Sequence, residues 1–205
     1  MKILSGPIYR DMVVYKDKIE KKPIINHKDN LKNNGTFESD IILPLHTGTH
    51  VDYPLHVIEG GKNSSDYDIN GKTYKGYILD ISDRSENKII SLESIKDIDF
   101  QDLEVILFKT KKQNLDYFDF EFPYLDREAS KWISKFNIKF VGIDQLGIER
   151  NQPNHETHHN LLKNDILIIE GLDLYNIEEG FYEFTFFTIQ IKDVEAEPIV
   201  VCIMD

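Results

Sequence analysis

Three histidines and a carboxylate fall within one segment of eleven residues, which runs from position 46 to position 56. Histidine nitrogens and carboxylate oxygens are the donors that divalent ions such as zinc and manganese bind in proteins. An isolated histidine is more often a hydrogen-bonded core residue or a solvated surface residue. Three of the seven histidines of the chain share this segment. We therefore infer a metal site in which His46, His50 and Asp52 converge on one ion.

The backbone of this segment must bend if the three side chains are to reach one ion. On a straight strand, at about 3.3 Å per residue, His46 and Asp52 would lie roughly 20 Å apart. A helix would place His46 and His50 on one face but would turn Asp52 away. Gly48 and Pro54 also disfavour a helix. The segment is therefore predicted to be partly extended, with a kink at Gly48, since glycine adopts backbone angles that other residues avoid.

A second group of histidines lies in the C-terminal third of the chain, in a segment with helical spacing. His158 is followed by Leu161 and Leu162 at i+3 and i+4, so it belongs to the face of the helix that turns towards the core. It is the best candidate for a further ligand. His155, at the beginning of the helix, and His159 are predicted to be solvated or to support the ligands from outside.

A glutamate ends the apolar run of residues 166–169, which is typical of a buried strand. An unpaired carboxylate is costly to bury, so Glu170 needs a cation, a metal ion or solvent as its partner. From this segment alone, an exposed strand end paired with a lysine explains the residue equally well. Together with the histidines, Glu170 is better explained as a metal ligand.

The composition limits the class of protein. A chain of 205 residues with 40% hydrophobic residues is expected to form one domain, residues 1–205. Its formal net charge of -12 argues against nucleic acid and anionic membranes as partners, because both require basic surfaces. The single cysteine, Cys202, lies in an apolar run and is expected to be buried. Neither a signal peptide nor a membrane span is visible, so a cytoplasmic location is predicted.

The order of the predicted elements favours an α/β fold with a mixed sheet. Strands are predicted at residues 36–45, 74–82, 103–110, 139–144, 166–169, 183–191 and 198–204, and helices at 91–98 and 126–136. A third helix is predicted to begin with Pro153 in its first turn and Asn154 as its cap. Strands that alternate with helices pair in parallel, whereas the last two are expected to pair antiparallel. Residues 26–35 are predicted to be a loop.

The segment His-Thr-Gly-Thr-His-Val-Asp-Tyr-Pro-Leu-His at positions 46–56 resembles a known signature. It matches H-x-G-T-H-x-D-x-P-x-H of the cyclase family of metal-dependent hydrolases, which includes bacterial kynurenine formamidases and isatin hydrolases. Further similarity is found in Val141-Gly142-Ile143-Asp144, in His158 with its two leucines, and in Ile169-Glu170-Gly171-Leu172. The resemblance runs from about residue 36 to the C-terminus and is weaker before that.

The resemblance implies a role for each candidate. In relatives with two ions, the residues that match Asp52 and Glu170 bridge both, and the residue that matches His56 is the proposed general acid and base. The family fold, a swivelling β/β/α domain, and assembly as a homodimer or larger homo-oligomer are expected here as well. The residues that match metal ligands of the family are His46, His50, Asp52, His158 and Glu170.

Two departures from the family concern the substrate pocket. Formamidases carry a tryptophan near the N-terminus that packs on the aromatic substrate. Here Tyr15 occupies that region and is predicted to contact the substrate. A serine and an aspartate often follow the Gly-Ile-Asp of the family, where this chain has Gly147 and Glu149.

The predicted function is that of an enzyme, a metal-dependent amidohydrolase that cleaves a non-peptide C–N bond. The expected substrate is a formamide such as N-formylkynurenine, as for an arylformamidase of tryptophan catabolism, or a cyclic amide. One or two zinc or manganese ions per subunit would activate water, and His56 would transfer protons. A serine hydrolase is disfavoured because the chain has no Gly-x-Ser-x-Gly motif. The alternative is a non-catalytic metal-binding or regulatory protein, which would not require His56.

Overall fold

The computed structural model describes residues 1–32, 35–83, 88–111 and 116–204. The strands in these ranges are β1 (Lys2–Ile3), β2 (Ile24–Asp29), β3 (Phe37–Ile42), β4 (His50–Asp52), β5 (Thr73–Asp80), β6 (Ile89–Ile90), β7 (Val105–Lys109), β8 (Tyr124–Leu125), β9 (Phe140–Ile143), β10 (Leu167–Glu170), β11 (Gly180–Thr188) and β12 (Ala196–Ile203). The α-helices are α1 (Leu92–Ile95), α2 (Arg127–Ile133) and α3 (Glu156–Leu162). None of these helices is long and apolar enough to cross a membrane.

One mixed sheet forms the centre of the molecule, with strand order β1-β12-β11-β5-β7-β9-β10-β4. Strands β5, β7, β9 and β10 are parallel to their neighbours in this run, as their alternation with helices predicted. Strands β11 and β12 pair antiparallel, which was also predicted. Because β4 pairs with both β10 and β12, the sheet closes into a barrel. The predicted α/β fold with a mixed sheet is thus confirmed.

Apolar side chains form two layers, one inside the barrel and one between the barrel and the helices. Strand β7 illustrates the division, because successive side chains of a strand point to opposite faces. Val105 and Leu107 belong to the inner layer. Ile106 and Phe108 belong to the outer layer, which contains the buried apolar residues of α1, α2 and α3. Both faces of β7 are buried, which explains its continuous apolar sequence.

The prediction of a loop at residues 26–35 was wrong for residues 26–29, which belong to a strand. Strand β2 covers Ile24–Asp29 and pairs with β3 as a separate two-stranded antiparallel sheet. Most of its residues are exposed. The strand therefore lacks the alternation of buried apolar and exposed polar residues on which strand prediction depends. Residues 24–29 form a strand because they pair with β3, and the local sequence does not reveal this pairing.

The predicted beginning of the third helix was also wrong. Pro153 opens a short 3-10 turn, Pro153–His155, but Asn154 does not cap an α-helix. Asn154 and His155 both have left-handed backbone angles, with φ of 56° and 52°. Helix α3 therefore begins only at Glu156. The side chain of its cap residue, His155, makes no capping hydrogen bond to the helix.

Candidate metal centre

A kink followed by a short strand brings the first three candidates together. Gly48 has a φ of 71° and turns the chain ahead of β4, as predicted. Val51 points into the barrel, so His50 and Asp52 on the same strand point to the outer face. His46, on the other side of the kink, brings its Nδ1 to within 3.0 Å of Asp52 Oδ1.

The other two candidates come from β10 and α3. Glu170 is the last residue of β10 and lies opposite His50 in the antiparallel ladder, so both side chains point to the same face. His158 is buried in α3 together with Leu161 and Leu162, as the spacing predicted. The site therefore brings together β4, β10 and α3, although β4 and α3 lie more than a hundred residues apart in the sequence.

Two imidazoles and two carboxylates form the middle of this site. His50 Nε2 lies 3.4 Å from Asp52 Oδ1 and 3.5 Å from Glu170 Oε2. His158 Nε2 lies 3.6 Å from Asp52 Oδ2 and 3.6 Å from Glu170 Oε1. All four residues are buried. Within the described part of the chain, Asp52 contacts histidines, and Glu170 contacts histidines and the N–H of Ile148. The alternative explanation of Glu170, an exposed strand end paired with a lysine, is therefore wrong.

The arrangement fits a divalent cation. His50 Nε2 and both oxygens of Asp52 are buried without a hydrogen-bond partner among the described residues, although buried polar atoms are normally paired. Donor atoms that bind one tetrahedral ion at about 2.1 Å lie about 3.4 Å from each other, close to the separations found between these nitrogens and oxygens. His50, Asp52 and Glu170 can each offer one atom to a shared ion. The donor set of imidazoles and carboxylates suits zinc or manganese.

The charges of these groups support each other. Burial raises the pKa of Asp52, but the neighbouring histidines outweigh burial and hold the pKa well below its usual range. Burial lowers the pKa of His158, but Asp52, Glu149 and Glu170 outweigh it and raise the pKa well above the usual value. For His46, burial is likewise outweighed by Asp52, and its pKa is raised. A cation bound by the same atoms would replace the protons that these histidines carry.

Each of the three histidines has an oxygen atom close to the nitrogen that faces away from the carboxylates of the site. His50 Nδ1 lies 3.0 Å from the carbonyl oxygen of Gly48. The oxygens close to the other two histidines belong to carboxylate side chains. His46 Nε2 lies 3.4 Å from Glu195 Oε1, and His158 Nδ1 lies 3.1 Å from Glu149 Oε2. Metal-binding histidines are typically oriented by such contacts.

His56 lies at the edge of the site, in a 3-10 turn, Pro54–His56, that follows β4. Its ring centre is 4.2 Å from that of His46 and 5.5 Å from that of His158. Burial lowers the pKa of His56 to about 4, so the imidazole is neutral near pH 7. A ligand atom of His56 can also approach those of His46 and Asp52 within 4.8 Å. The geometry therefore allows His56 to act as a base or to join the ligands.

Tyr15 is half-buried beside the site and packs against other aromatic rings. Its ring centre is 5.1 Å from that of Phe118 and 6.2 Å from that of Phe122. Burial raises the pKa of its hydroxyl, with further contributions from the charges of Glu170 and Glu149. A side chain at Gly147 would lie 2.9 Å from the Tyr15 ring. The glycine that departs from the family pattern thus makes room for Tyr15.

Sequence reasoning missed several residues around the site. Glu149 and Glu195 were not singled out as supports of the histidines, and Phe118 and Phe122 were not assigned to the aromatic wall. The chain contains 36 acidic residues and 12 phenylalanines, and no local spacing marks these four. His155 is exposed and its Nδ1 lies 2.5 Å from Glu149 Oε1, which agrees with a supporting position outside the ligands.

Comparisons with known proteins identify the family. The model of the family described as "Putative cyclase" matches residues 3–150. This chain belongs to the cyclase family. A solved structure described as a "predicted metal-dependent hydrolase from Bacillus stearothermophilus" is 36% identical. The match covers 98% of this chain and 96% of the other, with a TM-score of 0.86. The family assignment made from the signature is confirmed.

Two further relatives carry functional names. Kynurenine formamidase from Bacillus cereus is 27% identical over 161 residues, which is 78% of this chain and 76% of the relative. Isatin hydrolase A from Labrenzia aggregata shares the cyclase fold, with 16% identity over 99% of this chain and 93% of its own, and a TM-score of 0.77. These names agree with the predicted enzyme class, a hydrolase of amide C–N bonds. His158 and Glu170 lie beyond the matched range of the family model.

Proposed function

We propose that this member of the cyclase family is a metal-dependent hydrolase of a small aromatic amide. The substrate would be a formamide such as N-formylkynurenine or a cyclic amide such as isatin. The observation that carries this proposal is the pair of buried carboxylates, Asp52 and Glu170, facing the same two histidine nitrogens at 3.4 to 3.6 Å. Such a set is suited to hold a catalytic cation. The names of the two functional relatives support the type of bond.

We assign metal binding to His46, His50, Asp52, His158 and Glu170. When bound, zinc or manganese supplies Lewis acidity, which lowers the pKa of a water ligand and polarises a carbonyl group. These five residues would hold one or two ions per subunit. His50, Asp52, His158 and Glu170 are buried, which strengthens their electrostatic interactions.

The proton transfers are assigned to His56. Hydrolysis adds water to the carbonyl carbon and breaks the C–N bond, so one proton must leave the water and one must reach the departing nitrogen. A neutral imidazole can accept the first and, as imidazolium, donate the second. Tyr15, with Phe118 and Phe122 behind it, would hold the aromatic ring of the substrate.

The test is hydrolysis of N-formylkynurenine and isatin by protein reloaded with zinc or manganese, together with measured metal content. Asp52→Ala should lose both metal and turnover, because Asp52 contacts all three histidines. Asp68→Ala, which removes an exposed carboxylate paired with Lys72, is the control and should change neither. Metal binding without hydrolysis of any amide would instead indicate the non-catalytic metal-binding protein.

We also propose that the chain forms a homo-oligomer through the hairpin of β2 and β3. Every residue of β3 is exposed, and Ile24, Phe37, Ile41 and Ile42 are each at least 50% exposed. The hairpin pairs only with itself among the described strands. Phe37 and Ile41 lie on one face of the hairpin, and Ile24 and Ile42 lie opposite each other on the other face. An isolated hairpin is marginally stable in water, and exposed apolar surface of this kind marks interaction sites. A second copy of this chain, offering the same hairpin, would cover these side chains.

A further inference from the structure

Glu149 is a buried carboxylate that contacts a candidate ligand, His158, on the side of the ring that faces away from the other ligands. It lies in the loop between β9 and α3 and is only 7% exposed. Its Oε2 is 3.1 Å from His158 Nδ1, in a contact whose geometry falls short of a hydrogen bond. The other nitrogen of the same ring, Nε2, faces Asp52 and Glu170. Glu149 therefore lies where it can determine which His158 nitrogen is presented to the cation.

Glu149 also holds the backbone on which His158 is carried. The N–H groups of Thr157 and His158 donate to Glu149 Oε2 at 3.1 and 3.2 Å. The first N–H groups of a helix have no partner inside the helix. The cap residue of α3, His155, has left-handed backbone angles and its side chain makes no capping bond. A carboxylate from earlier in the same loop thus accepts the N–H groups that the side chain of a cap residue accepts in other helices.

Both oxygens of Glu149 have partners. Oε2 accepts the N–H groups of Thr157 and His158. His155 Nδ1 lies 2.5 Å from Oε1 on the solvent side.

A second metal site made of Glu149, His155 and His158 is the competing explanation, since their donor atoms lie within 4.8 Å of one another. The hydrogen bonds argue against it. Oε2 already accepts two backbone N–H groups, and the His155 side chain is 67% exposed. Among the described residues, hydrogen bonds and the ring of His158 account for the polar contacts of Glu149 without an ion.

We propose that Glu149 is a positioning residue of the metal centre, which fixes both the start of α3 and the orientation of the His158 ring. This inference rests on the proposed function only in that His158 is a ligand. Removing such an outer carboxylate typically weakens metal affinity 10-fold to 100-fold. The residue does not touch the substrate or the reacting atoms, so its effect should appear in metal binding even when no substrate is present.

The experiment compares metal affinity, measured by competition with a chelator, with the melting temperature of the metal-free protein. Glu149→Gln keeps the size of the side chain but removes its charge and turns an amide N–H towards donors. Asp126→Ala is the matched control. Asp126 caps α2, which is as long as α3 at seven residues, and its side chain accepts the N–H of Ala129 at 2.7 Å. Both variants remove a carboxylate that caps a helix, but of the two carboxylates only that of Glu149 contacts His158.

We expect Glu149→Gln to weaken zinc affinity about 10-fold to 100-fold, and Asp126→Ala to lower the melting temperature with zinc affinity within about twofold of the unsubstituted protein. Unchanged affinity in Glu149→Gln, or an equal loss in Asp126→Ala, would overturn the positioning role. An unsubstituted protein that binds zinc but hydrolyses no amide would refute the proposed function alone. An unsubstituted protein that binds no metal would refute both.

Discussion

At the scale of single residues, His56 differs from the other histidines of the site in its charge. The carboxylates raise the pKa of His46 and His158 despite burial, whereas burial dominates for His56 and lowers its pKa to about 4. No carboxylate lies as close to His56 as Asp52 lies to His46 among the ion pairs of the described residues. A neutral imidazole next to a cation site is the form that a general base requires.

The first prediction concerns His56→Ala. Turnover of the amide should fall about 10²-fold to 10⁴-fold, the usual contribution of a general acid and base, while the metal content of the purified protein stays the same. His159→Ala is the control, since His159 lies on the same helix as His158 but points to an outer surface groove. Loss of metal in His56→Ala would instead show that His56 is a ligand, which its distance to His46 and Asp52 also permits.

Asp144 gives a prediction about pH. It is buried at the end of β9, where the N–H and hydroxyl of Thr110 donate to its two oxygens at 2.9 and 2.6 Å. Burial outweighs these bonds and raises the pKa of Asp144 to about 7. The folded protein therefore holds a proton between about pH 4 and pH 7 that the unfolded chain, with a pKa of about 3.9, has released.

Because the folded state binds the extra proton, the contribution of Asp144 to the free energy of unfolding is largest near pH 4 and falls as the pH rises to 7. Asp144→Asn removes this titration. Urea unfolding at pH 5 and pH 8 should show a smaller loss of stability with rising pH in Asp144→Asn than in the unsubstituted protein. An identical pH dependence would mean that Asp144 is ionised in the folded protein at both values.

At the scale of elements, two glycines allow β4 and β10 to approach at the site. Gly171, directly after Glu170, has a φ of 72°, and a Cβ there would overlap the carbonyl of Gly48. The same carbonyl oxygen accepts from His50 Nδ1. The Thr49 hydroxyl also donates to the Gly171 carbonyl at 2.7 Å. The kink and the end of β10 thus form one packed unit that supports His50 and Glu170.

Gly171→Ala should therefore cost stability and metal affinity together. The left-handed backbone alone costs about 1–2 kcal/mol for alanine, and the overlap with a backbone carbonyl adds to this. Gly60→Ala is the control, with a φ of 68° but open space around its Cβ position, so it should show only the backbone cost. Equal unfolding free energies for the two variants, or unchanged metal affinity in Gly171→Ala, would contradict the role of this contact.

The same elements show how far the sequence could predict the structure. The kink at Gly48, the parallel strands and the inward position of His158 follow from spacing and residue type, which are local properties. Glu149 could not be predicted in this way, because its role depends on the start of α3, where two residues adopt left-handed angles. Strand β2 was missed for a similar reason, since its exposed residues show no apolar period and only its pairing with β3 defines it.

At the scale of the whole molecule, closure of the barrel creates the site. Strand β4 bridges β10 and β12, with His50 opposite both Glu170 and Pro198. This double pairing places the signature segment beside residues from the C-terminal third of the chain and brings Glu195 to His46. Spacing in the sequence indicated which residues could bind metal, but only the closed sheet shows that they face one point.

The hairpin of β2 and β3 lies outside this barrel, and its exposed apolar side chains predict self-association. Phe37→Ser combined with Ile41→Glu should shift the protein from an oligomer to a monomer in sedimentation velocity at micromolar concentration, because a charge would then be buried without a partner in the interface. Phe181→Ser is the control, since Phe181 is 76% exposed on β11 of the barrel. A monomeric unsubstituted protein, or an unchanged oligomer in the hairpin variant, would contradict the proposed interface. Equal dissociation by Phe181→Ser would place the contact on the barrel instead, where β11 and β12 also expose apolar side chains.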